Sequence, residues 1–241
     1  MQTSDIGARE NLAAAMAVPR GVTALVGGGG KTTLMLRLAR ALSACGRVIV
    51  CTTTHIWKPE DMPCLLSPTP EEIRAALASA PCLCAGTPCA DGKLRGCGVP
   101  MPQLRTLADH VLVEADGAKG RPLKAPREGE PVIPPETGLV IAVLGLDGVG
   151  KPIAEAALRP ERYAALLGVD AQHAVTPEDA AFVLTHPDGQ RKGVLPGVRF
   201  QIALNKADTP ALRALAGRIA AAVPEGAAEG IVTTSREEAC L

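Results

Sequence analysis

Val22-Thr-Ala-Leu-Val-Gly27-Gly28-Gly29-Gly30-Lys31-Thr32-Thr33-Leu34-Met-Leu36 is the stretch on which the reading of this chain turns. Val22 to Val26 runs apolar and β-branched without interruption, the pattern of a strand buried on both faces. Four glycines follow, then one lysine, then paired threonines. The threonines open a segment, Thr32 to Ser43, in which Leu34, Leu38, Ala41 and Leu42 hold the spacing of a buried helical face. Strand, glycine turn and helix start, in that order, aim backbone N–H groups and the positive end of a helix at one point, which is what a phosphate needs. Lys31 adds charge, and the Thr32 hydroxyl is placed to coordinate Mg²⁺. Gly27, Gly28, Gly29, Gly30, Lys31, Thr32 and Thr33 are therefore the expected nucleotide-binding residues, with Lys31 also a catalytic charge.

The stretch departs from the pattern G-x-x-x-x-G-K-[ST], because Leu25 stands where the first glycine belongs. It resembles the shortened G-x-x-G-K-T-T loops of the Mur ligases and related P-loop families. A literal match to the first seven positions, Gly145-Leu-Asp-Gly-Val-Gly150-Lys151, is followed by Pro152, which supplies neither a hydroxyl nor an N–H. That segment reads as a turn ending a strand.

Outward from the loop, further apolar runs read as strands at Arg47 to Cys51, His110 to Glu114, Gly138 to Leu144, Val198 to Leu204 and Gly230 to Thr233, with a weaker one at Pro81 to Ala85. Helix starts are signalled at Thr69-Pro70-Glu71-Glu72, Thr176-Pro177-Glu178-Asp179 and Thr209-Pro210, where a threonine caps and proline takes the first turn. Alternating strands and helices with doubly buried strands predict an α/β fold, a doubly wound and mostly parallel sheet of P-loop NTPase-like architecture. One domain is expected over residues 1–241. Its working regions are 19–56 for the loop and second strand, 108–135 for an acidic strand end and basic tract, and 198–235 for base recognition.

In such a protein a carboxylate at the end of a second buried strand completes the Mg²⁺ shell. His110-Val-Leu-Val-Glu114-Ala-Asp116-Gly117 provides two, which point to one side if the strand persists. Asp116 is the first choice for the metal, with Thr32, and Glu114 for a water-orienting base, although the roles are exchangeable. Near the end of the chain Asn205-Lys206-Ala207-Asp208 follows a strand and resembles the N-K-x-D guanine-reading motif of GTPases, in which the carboxylate accepts hydrogen bonds from the base. A plain helix cap at Asp208 is the alternative. Ile231-Val-Thr-Thr-Ser235 occupies the place of the small polar loop that closes over the base in GTPases.

Together with these pieces, Thr52-Thr53-Thr54-His55, the long run Val113-Glu114-Ala-Asp116-Gly-Ala-Lys119-Gly-Arg121-Pro-Leu-Lys124-Ala-Pro126 and Glu130-Pro-Val-Ile-Pro134 resemble the YqeC family, linked to the maturation of selenium-dependent molybdenum hydroxylases. The resemblance implies a molybdenum hydroxylase, or its pterin cofactor, as partner. The residues themselves imply Mg²⁺ with GTP or ATP. Hydrolysis of GTP is the favoured activity. A nucleotide-gated chaperone with little turnover and an ATP-dependent ligase or kinase acting on a small acid are the alternatives.

His55, at the end of the second strand, and Lys119, Arg121 and Lys124, in the Pro- and Gly-rich tract Gly117 to Pro135, are candidates for a substrate or other anion. Cys82, Cys84, Cys89 and Cys97 are spaced C-x-C-x4-C-x7-C, unlike the paired C-x2-C of zinc sites. The 25 basic residues balance 25 acidic ones, so no global field directs the chain to nucleic acid or a membrane surface. Without a basic lead to the short apolar stretch Leu12 to Val18, and without an apolar run of membrane-spanning length, a cytoplasmic protein is expected.

Overall fold

The structure, a computed structural model, describes residues 3–5 and 12–235. Its first half carries strands β1 (Thr3–Asp5), β2 (Gly21–Gly27), β3 (Val48–Thr52), β4 (Ile56–Trp57), β5 (Cys64–Leu66), β6 (Cys82–Pro88), β7 (Lys93–Arg95) and β8 (His110–Glu114). Helices α1 (Leu12–Ala15), α2 (Lys31–Leu42), α3 (Pro70–Ser79) and α4 (Met101–Leu107) lie between them. The second half adds β9 (Leu123–Lys124), β10 (Thr137–Gly145), β11 (Ala157–Leu158), β12 (Arg199–Asn205) and β13 (Gly230–Thr234). Its helices are α5 (Ile153–Ala156), α6 (Pro160–Leu167), α7 (Pro177–Thr185) and α8 (Pro210–Ala222).

The main sheet is ordered β1-β13-β12-β10-β2-β8-β3-β6-β7-β4, with β5 also paired to β6. It is parallel from β1 to β6, and only the short β6–β7 and β7–β4 pairs are antiparallel. A parallel sheet needs cover on both faces. On one face Leu25, Leu112, Ile141 and Val143 pack against Leu34, Met35 and Leu38 of α2 and Leu12 and Met16 around α1. On the other, Ala24, Val26, Val140, Ala142 and Ile202 meet Tyr163, Ala180, Val183 and Ile219 of α6, α7 and α8. That face continues under α3 and α4, where Ile49, Val111 and Val113 meet Ile73, Leu77, Leu104 and Leu107. The expected doubly wound, mostly parallel architecture is what the chain adopts.

Capping is local chemistry that the sequence announces. Thr69 and Thr176 each accept the backbone N–H three residues on, while Glu72 and Asp179 reach back to the cap amide. Thr209 accepts the Leu212 N–H at 3.2 Å. The tract Gly117 to Pro135 is less irregular than expected, since β9 pairs in parallel with β11 in a separate two-stranded sheet. Among the described residues no helix is long and apolar enough to cross a membrane.

Candidate functional site

Chain order reverses direction across the sheet beside β2: β8 and β3 lie on one side, β10 and β12 on the other. In doubly wound sheets the crevice at the carboxyl ends of such strands receives ligands. Strand register lines up the motifs there. Thr52 pairs with Glu114, Glu114 with Leu25, Gly27 with Val143, Gly145 with Asn205, and Asn205 with Thr234.

The glycine loop is held at close quarters by its neighbours. Gly27, Gly29 and Gly30 have φ of +99°, +77° and +107°, a region that L side chains rarely adopt. A Cβ on Gly29 would lie 2.1 Å from the Gly145 nitrogen, and one on Gly28 2.7 Å from the Arg121 carbonyl oxygen. Three loop amides already have partners: Gly27 N–H donates to Asp116 Oδ1 and Oδ2 at 3.2 and 3.1 Å, Gly28 N–H to Val143 O at 2.9 Å and Gly29 N–H to Arg121 O at 3.0 Å. Gly145 N–H completes the clasp by donating to Pro122 O at 3.1 Å. Helix α2, by contrast, starts at Gly30 with no side-chain cap, so the amides of its first turn remain the donors for an anion.

Lys31 is only 4% exposed. Its Nζ donates to Gly27 O at 2.6 Å and stands 3.2 Å from Asp116 Oδ1 and 3.8 Å from Glu114 Oε1. Thr32 Oγ1 donates to Glu114 Oε2 at 2.6 Å. The site thus brings together Lys31, Thr32, Glu114 and Asp116, with the two carboxylates in different environments. Asp116 is fully buried and receives, besides Lys31 and the Gly27 amide, Lys124 Nζ at 2.7 Å. Glu114 has the Thr32 hydroxyl and the more distant Lys31. Burial pushes its carboxyl above the ordinary range, and the Lys31 charge and Thr32 hydrogen bond reverse only part of that rise.

Lys124, expected as a candidate anion ligand, does not face an open site. It is buried between Asp116 and Glu130, 2.9 Å from Glu130 Oε2, because the β9–β11 pairing draws its strand inward. Arg159 clamps Glu130 with two bonds of 2.9 and 3.1 Å, and Arg127 adds a third at 3.0 Å. Burial alone would raise the Glu130 carboxyl, but the hydrogen bonds and charges of Lys124 and Arg159 hold it at about 2. Lys124 is therefore withdrawn as an anion ligand, since its charge is matched inside the protein. Of the other candidates, Lys119 and Arg121 are exposed; the Arg121 side chain bonds to Glu155 O and its carbonyl takes part in the clasp. His55 is exposed at the end of β3, while Thr52 and Thr53 hold Glu114 by its carbonyl oxygen.

Asn205 ties the end of β12 to the glycine loop. Its Nδ2 donates to Gly29 O at 2.8 Å, and its Oδ1 accepts from Thr234 Oγ1 at 2.8 Å. Lys206, with φ of +69°, donates to Asp147 Oδ2 at 2.8 Å, and Ala207 N–H to Thr234 O at 2.9 Å. Asp208 is half-buried where this strand end turns into α8. The segment Gly145 to Lys151 leads through Pro152 only into the short helix α5. It still contributes Gly145 to the clasp and Asp147 to Lys206, roles that only the register reveals.

The cysteines do not converge on one point. Cys84 is buried on the α2 face of the sheet and Cys97 in the cluster under α3 and α4. Among the described residues no group of three or more His, Cys, Asp or Glu is arranged to hold a metal ion.

These features define an α/β protein with a glycine loop, a lysine and two carboxylates at the switch point of a parallel sheet. A family model described as "YqeC protein" matches residues 23–161. A protein of Escherichia coli (strain K12) described as "Uncharacterized protein YqeC" is 36% identical over 186 residues, covering 74% of this chain and 73% of its own length. The chain belongs to the YqeC family. No solved structure matches.

Proposed function

We propose that this protein binds a purine nucleoside triphosphate, GTP in preference to ATP, together with Mg²⁺, and hydrolyses it in the service of molybdenum hydroxylase maturation. One observation carries the reading: an under-compensated carboxylate, Glu114, is hydrogen-bonded to the Thr32 hydroxyl beside Lys31 at the uncapped start of α2. A carboxylate whose ionised form is disfavoured gains most from a cation, and hydroxyl and carboxylate oxygens suit Mg²⁺. The ion, when bound, supplies positive charge to the phosphates. The metal role thus moves from Asp116 to Glu114, while Asp116 acts as the positioning residue that orients Lys31 and the Gly27 amide. The α2 amides and Lys31 hold the phosphates.

GTP is favoured because Asn205-Lys206-Ala207-Asp208 resembles the guanine-reading tetrad and its Asn205 bonds to both the glycine loop and Thr234, which supports a base-reading role for Asp208 three residues on. The maturation role rests on the family resemblance alone. Calorimetric titration of GTP and ATP, with and without Mg²⁺, tests the reading, and phosphate release separates turnover from gated binding. GTP is expected to bind more tightly than ATP and to need Mg²⁺. Asp208→Asn is expected to weaken GTP and strengthen xanthosine triphosphate, since an amide N–H₂ there meets the xanthine oxygen. Equal binding of ATP and GTP would remove the guanine assignment, and binding of neither would remove the nucleotide reading altogether.

A further inference from the structure

A pocket of about 580 Å³ that includes no residue of the glycine loop is walled by Trp57, Lys58, Glu60 and Met62, with Cys64 among its lining residues. Its volume falls within the range of small-molecule sites. Trp57, the single tryptophan of the chain, is 65% exposed on its rim, with Lys93 stacked on its ring at 4.9 Å. Cys64 is half-buried at the start of β5, and its register partner on the adjacent parallel strand β6 is Cys84. Strands in a sheet lie about 4.8 Å apart, and a disulfide spans Cα separations of about 4.4–6.8 Å, so register partners on one face are within bonding reach. Both thiols are free in the structure, Cys64 accessible from the pocket and Cys84 wholly buried behind it.

We propose that Cys64 and Cys84 form a redox-active dithiol that reacts with a small disulfide admitted by this pocket, Cys64 as the attacking thiol and Cys84 as the resolving one. The asymmetry of the pair fits the two roles. The neighbouring Cys84 thiol, able to donate to a Cys64 thiolate, lowers Cys64 to about 7; burial opposes the shift, and the Lys58 charge assists it. Cys84 is held as a thiol chiefly by that same pairing with Cys64, then by burial and by the neighbouring sulfurs Cys64, Cys51 and Cys82. Glu60, the acidic group in the pocket wall, faces the same opening as Lys58.

In the first step the Cys64 thiolate attacks one sulfur of the small disulfide, forming a mixed disulfide and releasing one small thiolate. That bond removes the charge and the acceptor that held the Cys84 proton. In the second step the Cys84 sulfur attacks the Cys64 sulfur, the second small thiol leaves, and the Cys84 proton goes to it. The protein dithiol gives up two electrons and the small disulfide gains them. This inference is independent of the nucleotide site.

The test is to treat the full chain with glutathione disulfide, alkylate the remaining thiols and map linkages by tandem mass spectrometry. The unmodified protein is expected to yield a Cys64–Cys84 disulfide reversible by dithiothreitol. Cys84→Ala is expected to trap glutathione on Cys64, and Cys64→Ala to leave Cys84 alkylatable only after unfolding. Circular dichroism shows whether each variant folds, and if Cys84→Ala does not, mapping of the unmodified chain decides alone. Glutathione found on the exposed Cys45 while Cys64 and Cys84 stay reduced overturns the proposal, as does a folded Cys84→Ala that carries no adduct on Cys64.

Discussion

Two lysines flank Asp116, and the protein treats them differently. Lys124 makes contacts of 2.7 and 2.9 Å to Asp116 and Glu130, and Glu130 is itself clamped by Arg159. Lys31 sits 3.2 and 3.8 Å from its carboxylates and spends its short bond on a backbone oxygen. On the Lys124 side every charge has a matched partner, and Glu130 is held ionised. On the Lys31 side Glu114 is pushed toward its neutral form. The same residue types thus build a matched strut in one place and an under-compensated cluster in the other, and it is the under-compensated carboxylate to which the metal role is proposed.

The largest effect that tests this contrast belongs to Lys124→Met. Leaving Asp116 and Glu130 buried without their lysine is expected to cost about 3–5 kcal/mol of stability in urea unfolding at neutral pH. Lys31→Met is expected to cost about 1–2 kcal/mol, because Asp116 keeps Lys124 and Glu114 accepts a proton, yet to abolish nucleotide binding in calorimetry. Equal stability losses would make the two lysines equivalent and break the comparison.

The glutamates sharpen it through pH. Glu130 is lowered in the folded protein, so its contribution is present above the ordinary glutamate range and is lost as pH falls toward about 2. Glu130→Gln should flatten that acid limb of a melting-temperature profile. Glu114 is raised, so its contribution is present at low pH and is lost as pH rises through its folded value. Glu114→Gln should then keep or raise the melting temperature at pH 7 while losing Mg²⁺-dependent binding. A fall in melting temperature at pH 7 equal to that of Glu130→Gln would contradict the assignment.

The smallest effect on binding is expected from Asn205→Ala. It deletes one hydrogen bond to the loop and one to β13, at about 1 kcal/mol each, and should weaken GTP more than free phosphate or pyrophosphate. Equal weakening of all three would assign Asn205 to the loop alone.

The strands were legible because a parallel sheet buried on both faces leaves uninterrupted apolar runs, and β2, β3, β8, β10, β12 and β13 stand within a residue or two of their expected bounds. The capped helices announced themselves through threonine, proline and an acid at fixed offsets. Short elements escaped notice: β4, β7, β9 and β11 span two or three residues, too few for a period to show, and β1 lies in a polar segment that pairs with the far end of the chain. Within the site, the meeting of Lys31, Thr32, Glu114 and Asp116 followed from strand-end logic. The burial of Lys124 did not, because a lysine in a Pro- and Gly-rich tract reads as solvated unless its partners are known, and Arg159 lies 29 residues from Glu130. Asp147 and Gly145 were hidden for the same reason, since sheet order rather than sequence makes them neighbours of the loop.

The clasp over the glycine loop has a kinetic consequence. The Gly29 amide is engaged by the Arg121 carbonyl and Gly145 by Pro122, so if the proposed nucleotide also draws on that amide, besides those of α2, the 121–122 segment has to release it first. Capture would then proceed through opening followed by association, with only the open fraction of molecules competing for ligand. In rapid mixing, the observed rate should climb with nucleotide concentration and then level off at the opening rate of the segment. Residues that never touch the ligand, Pro122 first among them, would set how fast this protein can respond to it.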